Sequence, residues 1–229
     1  MIEVRRYLLI ALLAVVSIFN IKAQDREDAV MFWSTVTVKK SLGTENRWTV
    51  GIMSEYRHQI HEGVSDVSQY FVRPSVAYKA LPWLTLQYQM DFAATRSSGF
   101  NWRFIPEVTL SKKMGDFSLA FRQRAMTTWK VAAGTNSTVL RSRAKVDYHI
   151  PKTPLSVHFA AEPYWCDFSR NSFAWFQKCR WYAGFNVKLT DNLTFTPQYV
   201  CQAYHNHKGH YARRTYDDHV VYMTLTVKL

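Results

Sequence analysis

Ser156, His158 and Glu162 fall within the run SVHFAAE, and a hydroxyl, an imidazole and a carboxylate are the parts of an acyl-transfer triad. In that chemistry the imidazole takes the serine proton and the acid orients the ring. In a membrane protein the corresponding activity is lipid hydrolysis. All three sit on one row of an alternating stretch, with no sharp turn to lift a nucleophile out of it. A lumenal hydrogen-bonding role for His158 is therefore the stronger reading, and catalysis is not assigned.

Three imidazoles in YHNHKGHY, at His205, His207 and His210, suit a zinc or copper ion by ligand type. Lys208 stands among them and repels a cation, so a solvated loop is the better reading and no metal or cofactor is assigned. Arg213 and Arg214 join Lys208 in a basic rim that suits the phosphates of lipopolysaccharide. Net charge without a nucleic-acid-binding motif does not point to DNA or RNA. Protein partners are not indicated.

Cys166, Cys179 and Cys201 are odd in number and contain no CxxC, which excludes a disulfide scaffold and a zinc site. Antiparallel pairing of the adjoining segments, joined at Thr190-Asp191, with a register sum of 380 sets Cys179 opposite Cys201. A cross-strand disulfide is then open to an exported chain, with two unlinked thiols as the alternative. Cys166 stays alone, facing inward.

The most numerous candidates are charges placed on every second residue. In VLRSRAKVDYHI, Arg141, Arg143, Lys145 and Asp147 alternate with Leu140, Ala144, Val146 and Tyr148. Successive side chains of a strand point to opposite faces, so this is strand spacing. The same pattern recurs over about 30–40, 46–58, 67–79, 83–93, 100–111, 117–128, 138–149, 155–166, 176–189, 193–204 and 219–229. Helical periodicity of comparable strength is missing. Tight polar connections (79–82, 112–116, 150–154, 189–192) alternate with mostly longer ones (58–66, 95–99, 130–138, 167–174, 204–218). Short turns at one end and longer loops at the other are the plan of an outer-membrane barrel.

Alternation by itself also fits a soluble periplasmic barrel with an apolar ligand in its core. The polar rows decide between the two. Their mid-strand positions are arginines (Arg57, Arg73, Arg103, Arg122, Arg124, Arg141, Arg143, Arg180), while lysines gather near turns. Arginine suits confined, paired charge because its planar fork bonds carboxylates bidentately. Glu55, Asp91, Glu107, Asp147 and Glu162 lie on the same rows. With Lys145 and Lys188 they form a predicted lumenal network that is net positive and points either to a salt-bridged plug or to a narrow, anion-leaning passage. Trp33, Trp48, Trp83, Trp102, Trp165 and Trp181 fall near segment ends and suit interfacial girdles.

The fold class predicted is thus all-β, an antiparallel transmembrane barrel of ten to twelve strands over residues 24–229. Eleven segments is an odd count, whereas bacterial single-chain barrels are usually even. Either a strand is missed, giving twelve, or residues 24–41 lie against or inside a ten-stranded barrel.

Residues 1–23 read as a cleaved secretory signal: Arg5 and Arg6, an apolar stretch from Tyr7 to Phe19, then Asn20-Ile21-Lys22-Ala23. Its loss would remove three bases and one acid and lower the formal charge of the 229-residue chain from +12 to +10.

The runs FWSTVTVKKSL, SEYRH, VRPSVAY, RSRAKVDY, AAEPYW, RWYAGFNVKLTDNL and the closing TLTVKL follow one another in an order that resembles an exported domain-of-unknown-function family, number 2490, of Bacteroides-type bacteria. The resemblance covers nearly the whole chain after the signal. It implies an outer-membrane β-barrel in contact with membrane lipid, and no reaction, substrate or catalytic residue. Leu229 departs from the terminal aromatic usual in such barrels.

Overall fold

The computed structural model describes residues 29–43, 45–61, 64–96, 99–165, 176–206 and 213–229. Eleven strands follow one another: β1 (Ala29–Leu42), β2 (Trp48–His61), β3 (Val64–Leu81), β4 (Leu84–Thr95), β5 (Gly99–Met114), β6 (Phe117–Lys130), β7 (Thr135–His149), β8 (Leu155–Trp165), β9 (Phe176–Lys188), β10 (Leu193–Asn206) and β11 (Arg213–Lys228). Each pairs antiparallel with the next, and β1 closes the barrel by pairing parallel with β11. Both ways of restoring an even count are thereby corrected. Residues 29–42 are an ordinary staple of the wall, and the odd strand is absorbed by one parallel seam. Parallel ladders satisfy the backbone as antiparallel ones do, with slanted bonds, so closure leaves no open edge.

The hairpins at one end are tight. Between β5 and β6 the loop is Gly115-Asp116, with Gly115 at φ 60°. Glycine at the first position of a two-residue turn matches the right-handed twist of the flanking strands. At the other end β11 begins at Arg213 rather than near 219, so part of the predicted long loop is wall.

Side-chain direction follows from the period of two. Phe32, Ile52, Tyr88, Phe104, Phe121, Phe159 and Trp181 point outward and are exposed. Asp91, Glu107, Arg124, Arg141, Glu162 and Arg180 on the alternate rows are buried. The soluble-barrel alternative is corrected here: it needs apolar rows inside, and the exposed rows are the apolar ones. Some polar groups on the outer face are partnered within it: Ser142 Oγ donates to Gln123 Oε1 at 2.7 Å, and the hydroxyls of Thr127 and Thr138 meet at 3.0 Å.

The parallel seam has its own fastening. Tyr222 on β11 reaches across β1 and donates to Glu55 Oε2 on β2 at 2.9 Å, and Thr35 of β1 donates to the same oxygen at 3.2 Å. Hydrogen bonds to charged groups contribute about 1.5–3 kcal/mol. Tyr222→Phe is expected to lower barrel stability by that amount in urea unfolding from vesicles, with the outer rows untouched. A change below about 0.5 kcal/mol would remove this role.

Candidate lumenal site

The inward rows form a layer of ion pairs around the barrel. On β2, Arg57 Nε donates to Glu55 Oε1 at 2.6 Å, and Arg57 Nη1 continues to Gln69 Oε1 on β3 at 3.0 Å. Arg73 of β3 grips Asp91 of β4 with two nitrogens, and Arg103 of β5 approaches Asp91 Oδ2 at 3.5 Å. Arg124 of β6 binds Glu107 of β5, with Nε at 2.7 Å, while Gln89 donates to the same oxygen at 3.3 Å. Glu162 of β8 accepts from three strands. Arg122 Nη2 lies at 2.7 Å, Arg141 Nη2 at 2.9 Å and the Tyr182 hydroxyl at 2.6 Å. Arg180 of β9 donates to Gln202 Oε1 at 2.5 Å, and Gln202 passes on to Asp218 Oδ2 at 3.0 Å.

Nearer the tight turns, Lys145 and Asp147 pair at 2.7 Å, and Asn186 Nδ2 donates to Asp147 at 3.1 Å. Two of the predicted network members behave differently. Arg143 faces the lumen with its guanidinium 4.1 Å above the Tyr182 ring and no carboxylate in ion-pair range among the described residues. Lys188 is a correction: it has inward parity, but the wall ends there, and its exposed ammonium pairs with Asp191 of the turn at 3.1 Å.

Aromatic rings sit among the guanidiniums. Arg57 and Arg180 lie over Trp33 at 4.2 and 4.8 Å, and Arg57, Arg73 and Arg103 surround Phe71. Trp33 is only 2% exposed, so its assignment to a girdle is corrected. It shares parity with Thr35, Thr37 and Lys39, a signal available in the sequence. Gln69, Gln89, Tyr182, Gln198, Gln202, Asp218 and Tyr222 also complete the lumen, and each lies on an inward row. Neutral or aromatic character kept most of them out of a charge-based reading, and Asp218 was missed because it lies in the stretch read as a long loop, which is part of β11.

Phe71, Asp91, Ile105, Glu162, Val200 and Val220 lie on inward rows and are fully buried, forming a layer near the middle of the strands. On the tight-turn side of this layer a cavity of about 430 Å³ remains, reaching Lys39, Ser75, Gln87 and Lys145. Its lining holds nine lysines and arginines and two glutamates.

The Ser–His–acid set is not assembled. His158 Nε2 meets Gln198 Oε1 at 3.2 Å, Ser156 accepts from Asn186 at 2.9 Å, and Glu162 is held by its arginines. The His158–Gln198 contact crosses β9 at Gly184, where an added Cβ would stand 2.5 Å from Gln198 Cβ. Gly184→Ala is expected to push these strands apart and cost about 1–3 kcal/mol, seen as a lower unfolding midpoint. An unchanged midpoint would mean that the sheet yields freely there.

Cys179 and Cys201 are not bonded to each other, a correction to the disulfide expectation. Cys179 lies opposite Ala203 and Cys201 opposite Trp181, two residues away from the pairing required. Cys166, His207, His210 and Lys208 fall outside the described residues, as do the side chains of His205, Arg213 and Arg214. Among the described residues no cluster of metal-ligating side chains occurs.

A family model described as a protein of unknown function (DUF2490) matches residues 30–213. No curated protein matches the sequence. Among solved structures, one described as the NanC porin in a rhombohedral crystal form is similar at 15% identity and a TM-score of 0.47, over 76% of this chain and 86% of that one.

Proposed function

The chain belongs to the family of proteins of unknown function DUF2490, and from that premise we propose that it is an exported outer-membrane β-barrel of narrow, anion-preferring channel type, without catalytic activity. The observation that carries this reading is the sign of the lumen: nine bases and two acids around one cavity, inside a wall whose outer rows are apolar. Low-dielectric walls lined with one sign of charge concentrate counter-ions. Buried side chains at mid-height would narrow the resting passage, so conductance should be small and arise from rearrangement of that layer. Residues 1–23 would act as the export signal, and the basic loop end would face lipopolysaccharide.

Planar bilayers under a tenfold potassium chloride gradient test this. Small conductance steps with a reversal potential toward the chloride side are expected. Cation preference would overturn the reading. Silence at every voltage would leave a structural barrel in its place.

A further inference from the structure

Four guanidiniums converge on the cavity from three strands: Arg122 (β6), Arg141 and Arg143 (β7), and Arg180 (β9). The carboxylate they share is Glu162, which binds Arg122 and Arg141 directly. Arg180 spends its Nε on a neutral amide, and Arg143 rests on the Tyr182 ring. Three of these arginines keep a buried Nε–H without a hydrogen-bond acceptor: Arg122, Arg141 and Arg143. Arg141 is itself more than nine-tenths buried. An excess of buried charge with orphaned donors is costly unless something compensates it. The rest of the layer is better matched, since Asp91 serves Arg73 and Arg103, and Glu107 serves Arg124 while standing 3.8 Å from Arg122. The deficit of negative charge is therefore local to the β6–β9 wall.

We infer that this wall is a binding site for a small oxyanion carrying at least two negative charges, held by Arg143 with Arg141 and Arg122 where they border the cavity. Guanidinium forks select oxygen anions such as phosphate or carboxylate over chloride, because two parallel N–H groups match two oxygens. The face of Tyr182 fixes the Arg143 plane, so little side-chain entropy is lost when the anion arrives. A cavity of about 430 Å³ admits inorganic phosphate, a phosphorylated small molecule or a dicarboxylate, but no folded partner. The inference rests on the anion-preferring reading above and adds a location and a valence to it.

Isothermal titration of the folded, detergent-solubilised barrel with inorganic phosphate, and separately with succinate, tests it at an ionic strength held constant with potassium chloride. Saturable, roughly one-to-one binding of at least one dianion is expected. Arg143→Gln should weaken it about tenfold or more, the loss of one charge-assisted bond. Because Arg143 holds no carboxylate, that variant leaves no acid stranded and should fold. Arg143→Lys keeps the charge and loses the fork, and should also bind several-fold more weakly. Lys113→Gln, at the exposed end of β5, removes the same unit charge and should change nothing. Phosphate binding alone would assign phosphate-bearing ligands, and succinate binding alone would assign dicarboxylates. Heat that grows linearly for both anions, or equal weakening by Lys113→Gln, would overturn the site. Anion-selective conductance with no saturable dianion binding would remove this site alone, whereas cation selectivity would remove the reading beneath it.

Discussion

Glu162→Gln is expected to destabilise the barrel by about 3–5 kcal/mol, the range for removing one partner of a buried ion pair. The carboxylate is fully buried and accepts from Arg122, Arg141 and Tyr182, so three donors on three strands lose their common anion at once. The amide keeps the shape and supplies one oxygen, which isolates the charge from the packing. Urea unfolding from vesicles, or loss of the heat-modifiable gel band, reads the result. Adding Arg143→Gln to the Glu162→Gln variant should recover part of the loss, because it removes a repulsive charge that the missing carboxylate no longer offsets. Such coupling is what a double-mutant cycle measures for residues that share a network. A single-variant change within about 0.5 kcal/mol of wild type, the range of a neutral surface substitution, would mean that the network is not a structural element.

Much of this fold is visible in the chain because a period of two is a strong signal. All eleven strands lie where apolar and polar residues alternate, and Arg73, Arg124 and Arg141 announce the lumen by parity. The same period explains what was not legible. A one-residue slip exchanges the faces of a strand, but a two-residue slip leaves every side chain on its own face. The pattern around Cys179 and Cys201 is therefore equally good with the thiols opposite or displaced. The turn decides, and here Leu189 N–H bonds Leu193 O, which centres the hairpin on Asp191 rather than on Thr190. Nor does alternation reveal whether β1 meets β11 parallel, since the two directions demand the same residue types. Lys188 shows a third limit: parity says which way a side chain points, not whether a wall still stands beside it. The apolar residues of the lumen were hidden for a chemical reason. Phe71, Val200 and Val220 are set inside a charged lumen, where burial against guanidinium faces, as at Phe71, replaces the usual apolar surroundings.

Phe159→Arg should cost about 2–4 kcal/mol if the outer rows meet acyl chains, because an arginine on the lipid face near the bilayer midplane carries that penalty. Phe159 lies in the middle of β8, is 49% exposed, and packs beside Trp181 with ring centroids 6.0 Å apart. Part of any loss would come from that packing, so Phe159→Gln serves as the reference and the difference between the two variants reads the charge. Met114, the last residue of β5, is outward and 46% exposed at the tight-turn rim. Met114→Arg should cost about 0–1 kcal/mol, since the penalty falls away toward the interface. Water outside the barrel would abolish this depth dependence: an arginine at a half-exposed position of a solvated sheet changes stability by about 0.5 kcal/mol or less wherever it stands. Equilibrium unfolding from lipid vesicles supplies all three values. A graded penalty places the Phe159 row in hydrocarbon and, through the parity of the strands, leaves Arg141 and Glu162 on the enclosed side. Equal, small costs at both depths would turn the wall around, and the anion chemistry of the lumen would fall with it.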